Sequence, residues 1–308
     1  RRGRVYVYDM SNSMTVPIRT DKLESVISWD GQEFGRKIKF WKNPTNDKLY
    51  LLILIYGASQ MYAYNVTDGS LDPEFQFGGN GTGFNSTHKG TITPDGQYYI
   101  FLGGQPRGVY VYDLVNTQTT YKWYVAKNES NLQDLRGAGT VHVDATAGKL
   151  FVTDPYANNS SGQVEIYDIS NLSTHAPNLL ASYYFDSGYS SYYGFTGEYD
   201  PSSQYLYLGH DSPSHGGNDN PPVTVYDVSA LTATDGGRHA LPTPVISIAN
   251  PRVDGSGNAY TKNSHPGFAR NSIHILGDKL YIADNSATTN GQEGNGAIHV
   301  FNKSDGSH

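Results

Sequence analysis

Six residues carry side chains suited to acid–base or metal chemistry and stand in or beside short apolar segments: His88, His142, Asp144, Glu198, Arg270 and His274. Imidazoles and carboxylates brought to one point can hold a divalent cation or relay a proton. Two further clusters sit in Gly/Asn-rich stretches. His210, Asp211, His215 and Asp219 offer nitrogen and oxygen donors to a metal, without the regular spacing of a known site. The stretch 284–296, with Asp284, Asn285, Asn290, Glu293 and Asn295, offers the oxygens that calcium prefers, but not in EF-hand order. The plain alternatives are polar filling bridged by water for the first group and solvated hairpin loops for the other two.

Other chemistries are excluded or disfavoured. The chain has no cysteine, so disulfides, thiol catalysis and thiolate metal sites are ruled out. No Gly-x-Gly-x-x-Gly or phosphate-binding Gly-Lys-Ser/Thr is present, and no nucleotide cofactor is expected. A Gly-x-Ser-x-Gly nucleophile motif is also absent; Asp254-Gly255-Ser256-Gly257 is one residue short. A net charge of −7, with no basic run beyond Arg1-Arg2-Gly3-Arg4, gives no footprint for nucleic acid. The longest apolar stretch, 49–56, falls far short of the roughly 20 residues of a membrane-spanning helix. It reads as a buried strand, and no transmembrane segment is expected.

The elements that must position these residues are strands. One phrase, an apolar–aromatic alternation closing on Asp or Asn, occurs six times: Val5-Tyr6-Val7-Tyr8-Asp9, Met61-Tyr62-Ala63-Tyr64-Asn65, Val109-Tyr110-Val111-Tyr112-Asp113, Val164-Glu165-Ile166-Tyr167-Asp168, Val223-Thr224-Val225-Tyr226-Asp227 and Ile298-His299-Val300-Phe301-Asn302. Period-2 patterning with β-branched and aromatic residues marks a strand, and the closing Asp/Asn suits a turn. A second strand precedes five copies, at 48–54, 97–102, 149–153, 204–208 and 279–283. Shorter strands are expected before each hairpin (90–93, 140–144, 195–199, 272–276) and after it (120–125, 180–185, 245–248). No segment sustains a 3.6-residue apolar period. Four antiparallel strands per repeat define a β-propeller blade, so the expectation is an all-β, single propeller domain over 1–308, with six repeat cores and five to seven blades. A β-sandwich is the alternative; it has similar strand density but needs no repeating phrase. In a propeller the six residues named first fall on innermost strands, lining a central channel.

The unit Thr87-His88-Lys89-Gly90-Thr91-Ile92-Thr93-Pro94-Asp95-Gly96-Gln97-Tyr98-Tyr99-Ile100, followed by 108–113, resembles the blade of YVTN and lactonase-like propeller repeats. In those repeats Pro-Asp-Gly makes the turn between the first two strands. Segments 200–207 and 277–282 look like degenerate versions, and the resemblance covers about two thirds of the chain. It implies the fold, and a secreted lactonase-like hydrolase as one activity, with a metal or an acid–base pair in the channel. His88, His142, Glu198 and His274 are the candidates. They do not recur at equivalent blade positions, and no family catalytic set maps onto them.

The address is read from Asn-x-Ser/Thr, found at Asn65, Asn80, Asn85, Asn128, Asn158, Asn159, Asn171 and Asn302, about twice what this composition gives by chance. All eight fall in expected turns or at strand ends, where a glycan can project. With no signal-like apolar segment at its start, the chain reads as a mature, exported glycoprotein, extracellular or at the cell surface. Tyr183, Tyr184, Tyr189, Tyr192, Tyr193 and Tyr199 crowd one segment of a chain with 25 tyrosines, forming either an interfacial face or sheet core. The first repeat opens on a third-type strand, followed by a fourth-type candidate at 24–29, and the last stops on a third-type strand. Ring closure does not come out even, so a terminal strand exchanged between subunits is one solution. The resulting expectation is a non-catalytic, glycosylated surface-layer or filament subunit, with the hydrolase as the alternative.

Overall fold

The computed structural model describes residues 4–5, 23–24, 33–56, 60–78, 90–104, 107–116, 121–126, 139–155, 157, 161–185, 193–210, 223–249, 251, 268–284 and 297–308. Strands dominate, interrupted by a 3-10 turn at Val228–Ala230. The chain divides into two compact units, Arg1–Gly137 and Ala138–His308.

In the first unit, β1 (Arg4–Val5) pairs antiparallel with β2 (Leu23–Glu24). Next comes a four-stranded antiparallel blade of β3 (Glu33–Lys42), β4 (Leu49–Tyr56), β5 (Gln60–Asn65) and β6 (Leu71–Gly78). A second follows, with β7 (Gly90–Ile92), β8 (Tyr98–Gly104), β9 (Arg107–Asp113) and β10 (Trp123–Ala126). One aromatic core joins the two blades: Trp41, Tyr50 and Phe75 of the first, and Tyr99, Phe101, Tyr110 and Tyr112 of the second.

The second unit holds three blades. The first has β11 (Val141–Asp144), β12 (Lys149–Asp154), β13 (Gln163–Asp168) and β14 (Asn178–Tyr184). The next has β15 (Tyr193–Asp200), β16 (Tyr205–His210), β17 (Val223–Asp227) and, beyond β18 (Arg238–Ala240), β19 (Ile246–Ile248). β18 leaves this blade and adds parallel to β14, making the preceding sheet five-stranded. The last blade is β20 (Phe268–Leu276), β21 (Lys279–Asp284) and β22 (Ala297–Asn302). Phe151 and Ile166 pack against Tyr199 and Leu206 between the first pair of these sheets. Tyr207 and Val225 pack against Leu280 and Phe301 between the second pair.

Among the described residues, five sheets therefore carry the blade order, with successive strands side by side except where β18 departs, and the protein is an all-β propeller of five blades, at the low end of the expected five to seven. The repeated phrase is the third strand of every blade. Its residues are buried on both faces in β9, where Val109, Tyr110, Val111 and Tyr112 are all at most 1% exposed. The closing Asp/Asn caps the next turn: its Oδ1 accepts from the backbone N–H two residues on at Asn65 (2.8 Å), Asp113 (3.1 Å), Asp168 (2.9 Å) and Asp227 (2.9 Å). Such side-chain turns stop one strand and start the next.

The Pro94-Asp95-Gly96 turn has the expected form. Gly96 N donates to Thr93 O at 2.8 Å, and Gly96 adopts φ +74°. Trp41 Nε1 donates to Gly96 O at 2.8 Å, so this turn also anchors the neighbouring blade.

Candidate functional site

Three innermost strands of the second unit bring the sequence candidates into one region: β15 lies beside β20 and touches β11. Glu198 is on β15 and His274 on β20, with His274 Nδ1 4.0 Å from Glu198 Oε1. Their side chains are 32% and 66% exposed, which places the pair against solvent. An exposed pair at this distance contributes under about 1 kcal/mol, so its geometry is not held by its own attraction. Chemically it is a carboxylate facing an imidazole, the minimum for moving a proton to or from a bound water.

His142, on β11, is tied into a different network. Its Nε2 lies 3.0 Å from Thr140 Oγ1, which lies 3.0 Å from Thr153 Oγ1. Thr153 Oγ1 accepts from Thr140 N at 2.7 Å and donates to Gly194 O on β15 at 2.7 Å. Gly194 has φ +82°, and a Cβ there would meet Thr153 at 2.7 Å, so the close approach of the two blades requires glycine. This hydroxyl network carries blade-to-blade registration, and the sequence reading did not single it out. Thr140 and Thr153 lie in ordinary strand patterns, and their partners are distant in the chain.

Asp144 is buried and structural. Its Oδ2 accepts from Tyr199 OH at 2.8 Å and its Oδ1 from Ala147 N at 3.0 Å. Arg270 and His210 fall in β20 and β16. Asp284 closes β21, fully buried. His88, Asp211, His215, Asp219 and 285–296 lie outside the described residues. Among the described residues, no group of three His, Cys, Asp or Glu is placed to hold a metal ion. Glu198 and His274 supply two donors, one fewer than the three protein ligands of a typical catalytic zinc site.

Of the crowded tyrosines, Tyr183 and Tyr199 are core, 5% and 8% exposed. Tyr184 is half-buried beneath the Arg238 guanidinium, 5.5 Å from its ring centre. Tyr189 and Tyr192 lie outside the described residues. A separate aromatic group, Tyr110, Tyr121 and Tyr124, packs with ring centres 4.8 to 5.9 Å apart. Burial, with neighbouring phenols adding, pushes the Tyr110 hydroxyl well above its ordinary pKa, so it is neutral at any physiological pH.

The most exposed apolar surface lies on the last blade. Leu276, Ile298 and Val300 are 66%, 70% and 41% exposed. They share one face, since Val300 is registered opposite Tyr281, which is opposite His274, and Leu276 is two residues along β20. The opposite face of the same sheet is core, through Ile273, Leu280, Ile282 and Phe301. Among the described residues, no strand pairs with the outer edge of β22. The turn after β22 repeats the one after β5: Asn302-Lys303-Ser304-Asp305-Gly306-Ser307 matches Asn65-Val66-Thr67-Asp68-Gly69-Ser70 in sequence pattern. It matches in bonding too, with Asn302 N to Ser307 O (2.8 Å) answering Asn65 N to Ser70 O (2.9 Å).

Three expected glycosylation sites are described. Asn171 is exposed, and Ser173 Oγ donates to its Oδ1 at 2.8 Å. Asn65 and Asn302 are half-buried in the matching turns. Asn80, Asn85, Asn128, Asn158 and Asn159 lie outside the described residues.

Together these features define a β-propeller with a solvent-facing carboxylate–imidazole pair and, among the described residues, an exposed apolar strip on its last blade. No protein-family model and no curated protein sequence matches the chain. Solved structures do. The chain is similar to a protein described as TolB from Agrobacterium tumefaciens, at TM-score 0.51 and 12% identity, over 93% of this chain and 81% of that one. A protein from Bacteroides fragilis described as a 6-phosphogluconolactonase matches at TM-score 0.48 and 14% identity, over 70% of this chain and 54% of that one. The WD40 domain of coronin from Toxoplasma gondii matches at TM-score 0.49 and 14% identity, over 86% of this chain and 55% of that one. This chain thus spans about half the length of the last two. At these identities the likeness is one of fold, and propellers serve many functions.

Proposed function

We propose that this chain is a non-catalytic, extracellular, glycosylated β-propeller that assembles with copies of itself as a surface-layer or filament subunit. The observation that supports this reading is the last blade, where Leu276, Ile298 and Val300 are exposed on one face. Exposed apolar faces are surfaces that proteins cover by association. The Asn-x-Ser/Thr excess supports an exported setting for it.

The test is electron microscopy of the protein from its native source, read with intact mass. Ordered polymers whose subunits weigh well above 33.8 kDa are expected. Discrete monomers at the sequence mass would overturn the reading.

A second reading, a secreted hydrolase of the lactonase-like kind, is supported by Glu198 and His274 facing each other at 4.0 Å. It requires a metal or a substrate carbonyl at that pair. Metal analysis of the purified protein and a sugar-lactone hydrolysis screen, with Glu198→Gln as control, decide it.

A further inference from the structure

We infer that Tyr121 and Tyr124 form an oxidative modification site, at which an outside one-electron oxidant of the peroxidase class joins the two rings of one molecule through a carbon–carbon bond. Tyr121 stands just before β10 and Tyr124 lies on it, with ring centres 5.9 Å apart and ring planes inclined at 52°. Tyr124 also packs against the aromatic core that joins β3–β6 to β7–β10, and its ring centre is 4.8 Å from that of Tyr110. All of these residues belong to the first unit, so the geometry of the cluster is set inside one compact unit.

Three features single out this pair. The first is reach: Tyr121 is 37% exposed and Tyr124 is half-buried, so an oxidant in solvent meets one ring and the second lies against it. Tyr121 is outside the strand, and rotation of its side chain closes the remaining gap without breaking a bond of the β9–β10 ladder. The second feature is the proton. An oxidised phenol sheds its hydroxyl proton, and the exposed Tyr121 releases it to water. Tyr110, next in the cluster, is 1% exposed, and burial holds its hydroxyl protonated, which makes it a poor resting place for the radical. The third feature is the absence of cysteine, whose thiolate would otherwise intercept oxidant and supply a covalent staple.

The step balances. The oxidant takes one electron from each phenol, and each phenol gives its hydroxyl proton to water. The two phenoxyl radicals pair at ring carbons ortho to oxygen, and the protons on those carbons shift to the oxygens, restoring both phenols. In sum, two ring C–H bonds are replaced by one C–C bond, while hydrogen peroxide, the terminal oxidant, is reduced to two waters. The cross-link forms whether or not the chain assembles with copies of itself.

The experiment treats the purified full chain with a haem peroxidase and hydrogen peroxide and maps tryptic peptides by mass spectrometry. Trypsin cuts after Arg107, Lys122 and Lys127, so it separates the pieces 108–122 and 123–127 of the unoxidised protein. After oxidation these two pieces are expected to stay joined, lighter than their sum by two hydrogens, in material that still runs as a single chain under denaturing conditions. Fragmentation should place the link on Tyr121 and Tyr124. Tyr121→Phe and Tyr124→Phe keep the packed rings but lose the phenols. Circular dichroism and thermal unfolding matching the parent show that both fold, and each is expected to lose the joined peptide. Survival of the joined peptide in Tyr121→Phe would overturn the assignment, since Tyr110 or Tyr112 would then be the partner. Joined peptides that combine isotope-labelled and unlabelled copies in a mixed sample would overturn it as well, because the bond would lie between molecules. A parent that forms no such peptide at a peroxide dose that couples free tyrosine would end the inference.

Discussion

Lys303 Nζ, in the turn that closes the last blade, lies 2.8 Å from Asp200 Oδ2 at the end of β15 in the preceding blade. Ser202 and Ser203 hydroxyls and the Ser202 N–H also donate to the Asp200 carboxylate. Tyr207 OH adds a bond to Lys303 O at 2.9 Å. Desolvation pushes the Asp200 pKa up, but these donors outweigh it and hold it at about 2. A group whose folded pKa lies below its unfolded value, about 3.9 for Asp, contributes stability above that value and loses it as pH falls through the folded pKa. The inter-blade clamp should therefore weaken between about pH 4 and pH 2. Asp200→Asn should cost about 1–3 kcal/mol near neutral pH and flatten the pH dependence of denaturant unfolding in that window. An unchanged acid profile in the variant would remove Asp200 as its source.

Gly96→Ala should destabilise by about 1–3 kcal/mol. The residue sits at φ +74°, and a Cβ would meet Lys42 O at 2.8 Å, a backbone atom that cannot swing away. Urea unfolding of parent and variant measures the cost. Asp95→Asn, at an exposed position of the same turn, should cost less, because it keeps an acceptor for Gln97 N.

Thr153→Val should cost about 1–3 kcal/mol for each backbone group it strands. Valine matches threonine in shape but leaves Thr140 N without its acceptor and Gly194 O without its donor, both near the contact of two blades. Hydrogen exchange should show Thr140 N–H losing protection first, well before β12 and β13 open.

Glu198→Gln with His274→Asn should leave unfolding free energy within about 0.5 kcal/mol of the parent. His274 is exposed and lies 4.0 Å from a half-buried Glu198, so the attraction between the two holds little. Under the non-catalytic reading, neither bound metal nor lactone hydrolysis changes in the double variant. A loss of either would favour the hydrolase.

Asn171 should carry a glycan more fully than Asn302. The Asn171 side chain is exposed, with its Oδ1 held by Ser173. Asn302 commits both amide atoms, Nδ2 to Ser307 Oγ at 2.8 Å and Oδ1 from Lys279 Nζ at 2.6 Å. Glycopeptide mapping of material from the native source gives the two occupancies, and equal occupancy would show that folded geometry does not govern attachment.

What the sequence by itself determined was local and repetitive. The alternation closing on Asp or Asn marks the third strand of each blade, because strand period and turn chemistry are written in neighbouring residues. The turn at Pro94-Asp95-Gly96 was implied by the resemblance to YVTN and lactonase-like repeats. β3 and β6 were not singled out: one is studded with charges, and the other begins Leu71-Asp72-Pro73-Glu74, a poor strand pattern. β18 was invisible, because its parallel pairing with β14 comes from a different blade. Only the tertiary structure decided which candidates share a site. It set Glu198 opposite His274, turned Asp144 into the acceptor for Tyr199, and made Thr153 the link between blades, since each contact joins residues far apart in the chain. It also decided which apolar side chains remain uncovered. Ile298 and Val300 carry the same phrase as Val109 and Val111, yet they are exposed where Val109 and Val111 are buried, a difference the local pattern does not encode.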